Sequence, residues 1–252
     1  MGIIRTFINL NFAACKIFDR LALPRYMRID GNADFAKDMV PSYLRRGLKI
    51  YDIGGGRHPF CTVAKKDELN LKIVGLDISR SELDNAPIGA YDETICADIG
   101  HVSPTRDGDL VICQAVLEHV LDTESAFLSM SELLKPGGTA LIFVPCRNAI
   151  FARINIVLPE KLKKDILFSI FPSSREGQGF RSYYNKCTPS DFFRMAKKYD
   201  FEIIEERFYF TSGYFSFLFP LYFVWRIWLV IFKIFFGKQA SETFSVALRK
   251  MK

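Results

Sequence analysis

Three successive apolar runs each carry an aspartate at or near their ends, and the first opens onto three glycines. Residues 49–53 contain Asp52 and run straight into Gly54-Gly55-Gly56; residues 72–76 end on Asp77; residues 94–97 end on Asp98. Each run has strand length, and stretches of helical pattern separate most of them. Two further runs follow at 109–113 and 139–144, the latter entered through Pro136-Gly137-Gly138, with a helical stretch at 125–134 before it. Strands alternating with helices at this spacing imply a parallel sheet covered by helices on both faces.

In an open parallel sheet, ligands bind outside the carboxyl ends of the strands. The three signals fall there. Glycine lets the chain turn tightly and bring its backbone close to a ligand. A carboxylate at Asp77 can accept both hydroxyl protons of a ribose, and Asp98 lies within reach of an adenine amino group. A nicotinamide-dependent oxidoreductase shares this logic, but its G-x-G-x-x-G fingerprint needs glycine where Pro59 stands.

The stretches Y-D-I-G-G-G at 51–56, V-G-L-D-I-S at 74–79, A-D-I at 97–99, D-L-V-I-C-Q-A-V-L-E-H-V at 109–120 and L-L-K-P-G-G-T at 133–139 carry a family resemblance. They resemble the class I S-adenosylmethionine-dependent methyltransferases, in particular the ubiquinone- and menaquinone-type subgroup. The resemblance implies an α/β, Rossmann-like fold: a seven-stranded, mostly parallel sheet with helices on both faces and the last strand antiparallel. Residues 201–210 and 243–248 supply the final two strands, with a helix at 189–199 before them. It also implies S-adenosyl-L-methionine as cofactor. Asp52, Gly54 and Gly56 then belong to the loop that holds its methionine part. Asp77 binds the ribose, Ile78 packs on the adenine, Asp98 and Ile99 meet the adenine edge, and Gln114 ends the fourth strand beside the sulfonium. Where the family often has a third glycine this chain has His58, which either contacts the cofactor carboxylate or faces solvent.

Methyl transfer needs the acceptor held in line with the methyl group, and a general base helps only when the acceptor is a hydroxyl of high pKa. Among His58, His101 and His119, the last is the candidate catalytic base; the alternative is a helix-start histidine held by local hydrogen bonds. Some relatives bind a divalent metal through E-x-x-E-H here, but Ala115 replaces the first carboxylate, so no metal is expected. Substrate contacts are expected after the fifth strand, from Arg147, Asn148, Arg175, Arg181, Tyr183 and Tyr184, and above all from R-S-Y-Y-N at 181–185. Arginine forks suit phosphate or carboxylate groups.

At 252 residues the chain is long enough for one complete α/β domain with insertions. We divide it into an N-terminal amphipathic helical segment, 1–45, and a methyltransferase domain, 46–252; within the latter, 146–187 is a substrate-region insertion and 211–240 a hydrophobic insert. The net charge of +6 fits an anionic membrane surface or phosphate-bearing substrates, and no dense basic run or recognition motif points to nucleic acid. Six scattered cysteines read as free thiols in a reducing compartment. The apolar N-terminus, broken by Arg5, Asn9 and Asn11, does not read as a signal peptide. Residues 3–21 read as a helix with Arg5, Asn9, Lys16 and Arg20 on one face, and Phe7, Leu10, Ile17, Phe18 and Leu21 towards the other.

Residues 214–236, Y-F-S-F-L-F-P-L-Y-F-V-W-R-I-W-L-V-I-F-K-I-F-F, are long enough to cross a bilayer. Arg226 near the centre would cost about 2.5–3.5 kcal/mol there. Arg226 and Lys233 share a face as a narrow polar stripe, and Pro220 interrupts the start. If the flanking strands pair antiparallel in one sheet, both ends of the insert lie on the same side of any membrane, so a single crossing is excluded. The segment then lies in the interface, re-enters as a hairpin, or packs on protein as a lid or dimer contact. With the 3–21 helix and a basic-apolar helix candidate at 160–171, the pattern favours monotopic attachment.

The expectation is a cytoplasmic S-adenosylmethionine-dependent methyltransferase, monomer or homodimer, peripheral at the inner face of the cytoplasmic membrane. It would O-methylate a lipid-linked or amphipathic acceptor. The alternatives are a soluble sugar or small-molecule methyltransferase using the insert as lid or dimer surface, and a non-catalytic membrane adaptor on the same scaffold.

Overall fold

The computed structural model describes residues 2–159 and 181–252, with side chains from residue 5. The helix candidate at 160–171 and Arg175 lie outside the described residues. Seven strands form one sheet: β1 (Lys49–Ile53), β2 (Lys72–Asp77), β3 (Glu93–Cys96), β4 (Gly108–Gln114), β5 (Leu134–Pro145), β6 (Phe201–Tyr209) and β7 (Thr243–Lys250). Their order is β3-β2-β1-β4-β5-β7-β6, with β1 to β5 mutually parallel and β7 antiparallel to both its neighbours. This is the expected mostly parallel Rossmann-like sheet. The order reverses between β1 and β4, which opens a crevice at their carboxyl ends. Asp52 pairs in register with Gly75 on β2 and Ile112 on β4, so the ends of these strands lie level.

The period-two pattern of the strands divides their side chains between two cores. Ile50, Ile73, Leu110, Ile112, Leu141 and Phe143 face one side. Tyr51, Ile53, Leu76, Val111, Cys113, Ile142 and Val144 face the other, under α6 (Thr123–Leu133) and α8 (Pro189–Lys198). There Phe127 and Phe192 meet edge to face at 5.0 Å. Asp122 caps α6 by accepting from the Glu124 and Ser125 amides, and Thr188 caps α8 just ahead of Pro189. One local expectation changes: Pro136-Gly137-Gly138 is an irregular start to β5 rather than a turn before it, because Gly108 pairs with Leu134 across a register shift.

The other core is closed by a segment that sequence periodicity did not resolve. A four-residue helix α2 (Gly31–Asp34), a π-turn at Phe35–Met39 and α3 (Val40–Tyr43) follow one another, and Phe35 and Met39 are fully buried. Gly31 lets this segment press on the sheet: a Cβ there would lie 2.4 Å from the Tyr209 ring. Asp34 then accepts from Tyr209 Oη at 2.7 Å and Arg207 at 2.8 Å.

A third core joins the two long helices α1 (Gly2–Ala22) and α9 (Phe219–Phe236). α9 is the hydrophobic insert, and it leaves from and returns to the antiparallel pair β6–β7, as the single-sided topology requires. Asn11 Oδ1 accepts from the Phe219 amide at 2.8 Å, Asp19 pairs with Arg226, and Lys233 Nζ donates to Tyr26 Oη at 2.8 Å. Partners advance together along both segments, so the helices run parallel.

The expected polar stripe of α9 exists, but it faces protein rather than water or headgroups. Arg226 is 1% exposed. Burial of Asp19 beside it is the physical reason: an internal counter-ion and two backbone carbonyls offset much of the cost of burying the guanidinium. α1 docks through a third, mixed face, neither the cationic nor the apolar one. Asn11, Cys15 and Asp19 point inward, while Phe7, Leu10, Ile17 and Leu21 are exposed.

Candidate active site

The crevice over β1, β2, β3 and β4 holds two contiguous cavities of about 410 and 440 Å³ that share Ile53, Gly54, Asp77 and Ala115. One runs along Ile78, Asp98, Ile99, Val116 and His119; the other lies over Gly55, Gly56, His58 and Gln114. Together they suit a cofactor-sized molecule.

The glycine loop is built for close approach. Gly54 and Gly56 have φ of +70° and +47°, and a Cβ on Gly54 would fall 2.3 Å from Val116 Cγ2. Beneath the loop Asp52 is buried, accepting from the Phe60 amide and Tyr91 Oη, both at 3.1 Å. Burial pushes its carboxyl up to about 7. Tyr91 Oη also lies 3.1 Å from the Gly56 carbonyl, so its single proton is shared between the two acceptors and one phenol ties Asp52 to the loop. Arg57 forms a two-pronged pair with Glu82 at 2.7 and 2.6 Å beside the same loop. Neither Tyr91 nor Glu82 was singled out in the sequence, since each acts through tertiary contacts.

Asp77 ends β2 with Oδ1 accepting from the Ser79 amide at 2.8 Å, and Oδ2 lies 3.0 Å from where a Gly56 Cβ would stand. Desolvation by burial raises its pKa. Ile78 next to it is 58% exposed, a large apolar side chain presented to the cavity. Asp98 holds the turn Ile99–His101 by accepting from the Gly100 amide at 2.8 Å, and Ile99 is buried along the wall. The proposed cofactor residues Asp52, Gly54, Gly56, His58, Asp77, Ile78, Asp98, Ile99 and Gln114 all line the two cavities. His58 lies at the same end as Gln114. Gln114 Nε2 donates to Asn32 Oδ1 on α2 at 2.8 Å, bringing the N-terminal segment over the crevice.

His119 lines the first cavity at the end of the turn Leu117–His119. Its Nδ1 lies 3.1 Å from the Arg181 carbonyl. Ser182 Oγ lies 3.3 Å from the same nitrogen, and Nε2 stands 3.9 Å from Glu118 Oε1. The tautomer that donates from Nδ1 to the Arg181 carbonyl carries its lone pair on Nε2. Glu118 behind it is 4% exposed, and burial pushes its carboxyl up to about 8. Among the described residues, its Oε2 has no hydrogen-bond partner.

The 181–187 stretch is a strap stapled onto this turn. The Tyr183 and Tyr184 amides both donate to the Glu118 carbonyl, and Asn185 Nδ2 donates to the Leu121 carbonyl at 2.9 Å. Arg181 and Tyr183 reach the cavity with the guanidinium 5.3 Å from the ring centre. Tyr184 is buried, and Arg147 donates to its carbonyl at 3.3 Å. Four of the six expected substrate residues therefore gather at the strap: Arg181 and Tyr183 line the crevice, Tyr184 turns its ring into the core, and Arg147 holds the strap from outside. Asn148 donates instead to the Gln239 carbonyl at 3.1 Å, near the end of the insert. Among the described residues no group of three or more His, Cys, Asp or Glu could hold a metal ion.

A family model described as "Methyltransferase domain" matches residues 24–206. A ubiquinone biosynthesis O-methyltransferase of Chelativorans sp. (strain BNC1) is 27% identical over 141 residues, which is 53% of this chain and 53% of that one. The chain spans about half the length of such curated relatives. Two solved structures share the fold. Geranyl diphosphate C-methyltransferase of Streptomyces coelicolor A3(2), in complex with Mg2+, geranyl diphosphate and S-adenosyl-L-homocysteine, aligns with a TM-score of 0.53 at 12% identity, covering 86% of this chain and 78% of that one. Phosphoethanolamine N-methyltransferase 2 of Haemonchus contortus, in complex with S-adenosyl-L-methionine, aligns at 0.54 and 17% identity, covering 100% of this chain and 61% of that one.

Proposed function

We infer the reaction from a premise that the match over residues 24–206 supplies: this chain belongs to the S-adenosylmethionine-dependent methyltransferase family, and the cofactor is S-adenosyl-L-methionine. The crevice fits that group, since Gly54 and Gly56 leave the space a side chain would fill and Asp77 Oδ2 opens beside them. When bound, it supplies an electrophilic methyl group. Gly54, Gly56, His58 and Gln114 would hold its methionine part, Asp77 its ribose hydroxyls, and Ile78, Asp98 and Ile99 its adenine. We propose that the acceptor is an oxygen on a lipid-linked or amphipathic molecule, entering from the side of the 181–187 strap. His119 Nε2 takes the hydroxyl proton as the oxygen is methylated.

The observation that carries the lipid-surface reading is the outer face of α9. Val224, Ile227, Trp228, Ile231, Ile234 and Phe235 are exposed, between 43% and 76%, while both cations of the helix turn inward. So large an apolar face on a helix without outward charge fits a membrane interface. The test is methyl transfer from tritiated cofactor to a total membrane lipid extract. Label should enter the organic phase only with enzyme. Label confined to water-soluble products would favour the soluble-substrate alternative.

A further inference from the structure

We propose that α1 and α9 form one docking platform for an anionic phospholipid bilayer, with α1 and the turn Arg25–Arg28 supplying its cationic rim. The proposal rests on the membrane-surface reading above and names the lipid class. The buried Asp19–Arg226 pair and the Phe18 contacts with Phe219 and Phe223, at 6.0 and 5.2 Å, fix the two helices side by side. On α1, Phe7, Leu10, Ile17 and Leu21 recur at three- and four-residue steps or their sum and are 53–82% exposed. Phe18 flanks that stripe and bridges it to Phe223, itself 38% exposed on α9. The apolar surface thus continues from one helix to the other.

Charge decides between the two occupants such a surface could have. From residue 5 to residue 28 every cation, Arg5, Lys16, Arg20, Arg25 and Arg28, is exposed, and the one acid, Asp19, is buried. From 211 to 241 there is no acid at all. A second copy docked on this face by a two-fold axis would bring one cationic rim against another like it, with no exposed acid on either element to pair them. An anionic bilayer supplies the missing charge over the whole rim while taking up the apolar stripe.

The test is co-sedimentation of the full chain with phosphatidylcholine vesicles and with equimolar phosphatidylcholine–phosphatidylglycerol vesicles. Partitioning should be strong onto the anionic vesicles and weakened by salt. It should fall roughly fivefold per cation removed in Arg25→Ala and Arg28→Ala, at unchanged melting temperature. Equal partitioning onto both vesicle types would overturn the anionic-lipid inference and leave the membrane reading standing. No partitioning onto either would overturn both. A dimer in solution that Trp228→Glu converts to monomer would place a second copy on this face and likewise overturn the proposal.

Discussion

Arg226 donates from Nε and Nη2 to the two carboxylate oxygens of Asp19, at 3.1 Å each, across 207 positions of chain. The same guanidinium also donates to the carbonyls of Met27 and Phe210, and Tyr222 Oη donates to Asp19 at 2.7 Å. All three guanidinium nitrogens are hydrogen-bonded inside the protein. Removing one partner leaves the other charge buried and unpaired, which costs about 3–5 kcal/mol. Arg226→Met and Asp19→Leu should each lower stability by that order in urea titrations, and the double substitution should recover a substantial part. Additive losses would mean the two residues act independently.

Gly56 adopts φ of +47°, and a Cβ there would lie 3.0 Å from Asp77 Oδ2. Gly56→Ala should therefore strain the loop by about 1 kcal/mol or more and crowd the proposed ribose carboxylate. Calorimetry with S-adenosylhomocysteine should read about a tenfold weaker affinity, the equivalent of about 1.4 kcal/mol.

Glu118 keeps its proton up to about 8 because burial disfavours its anion. An unfolded chain releases that proton near about 4.3. Between those values the unfolded state binds fewer protons, so stability falls as pH rises through the window and is fully present below it. Asp52 and Glu242, each pushed up to about 7 by burial, add slope of the same sign. Glu118→Gln should remove part of the slope, gaining on wild type by on the order of 1–3 kcal/mol more at high pH than at low. Parallel stability curves would contradict this.

His119→Ala should reduce turnover by about 10²-fold or more if Nε2 takes the acceptor's proton, and should abolish the acid limb of the pH–rate profile. A variant with an unchanged profile would reassign His119 to holding the strap through the Arg181 carbonyl.

Much of this architecture was legible because it is local. The strands ending at Asp77 and near Asp98 follow from apolar runs of strand length, and the crevice follows from their parallel order. What escaped was decided by contacts between distant segments. The 31–43 stretch is too short and irregular for helical periodicity, yet it closes one core and sets Asn32 against Gln114. Arg226 and Lys233 were correctly placed on one face of α9, but the sign of that face depended on Asp19 and Tyr26, which no local pattern could pair with them. In the sequence Glu118 is only the second carboxylate of the E-x-x-E-H position; its burial depends on a distant segment, whose Tyr183 and Tyr184 amides bond to its carbonyl.

We propose that the crevice from Asp52 to Asp98 binds S-adenosylmethionine through Asp77. Calorimetric titration of the cofactor into wild type and Asp77→Ala tests it most directly. Wild type should bind one equivalent, and the variant, with an unchanged melting temperature, should lose about 10- to 100-fold in affinity as two charge-assisted hydrogen bonds to the ribose disappear. No binding by wild type, or equal binding by both proteins, would contradict the account.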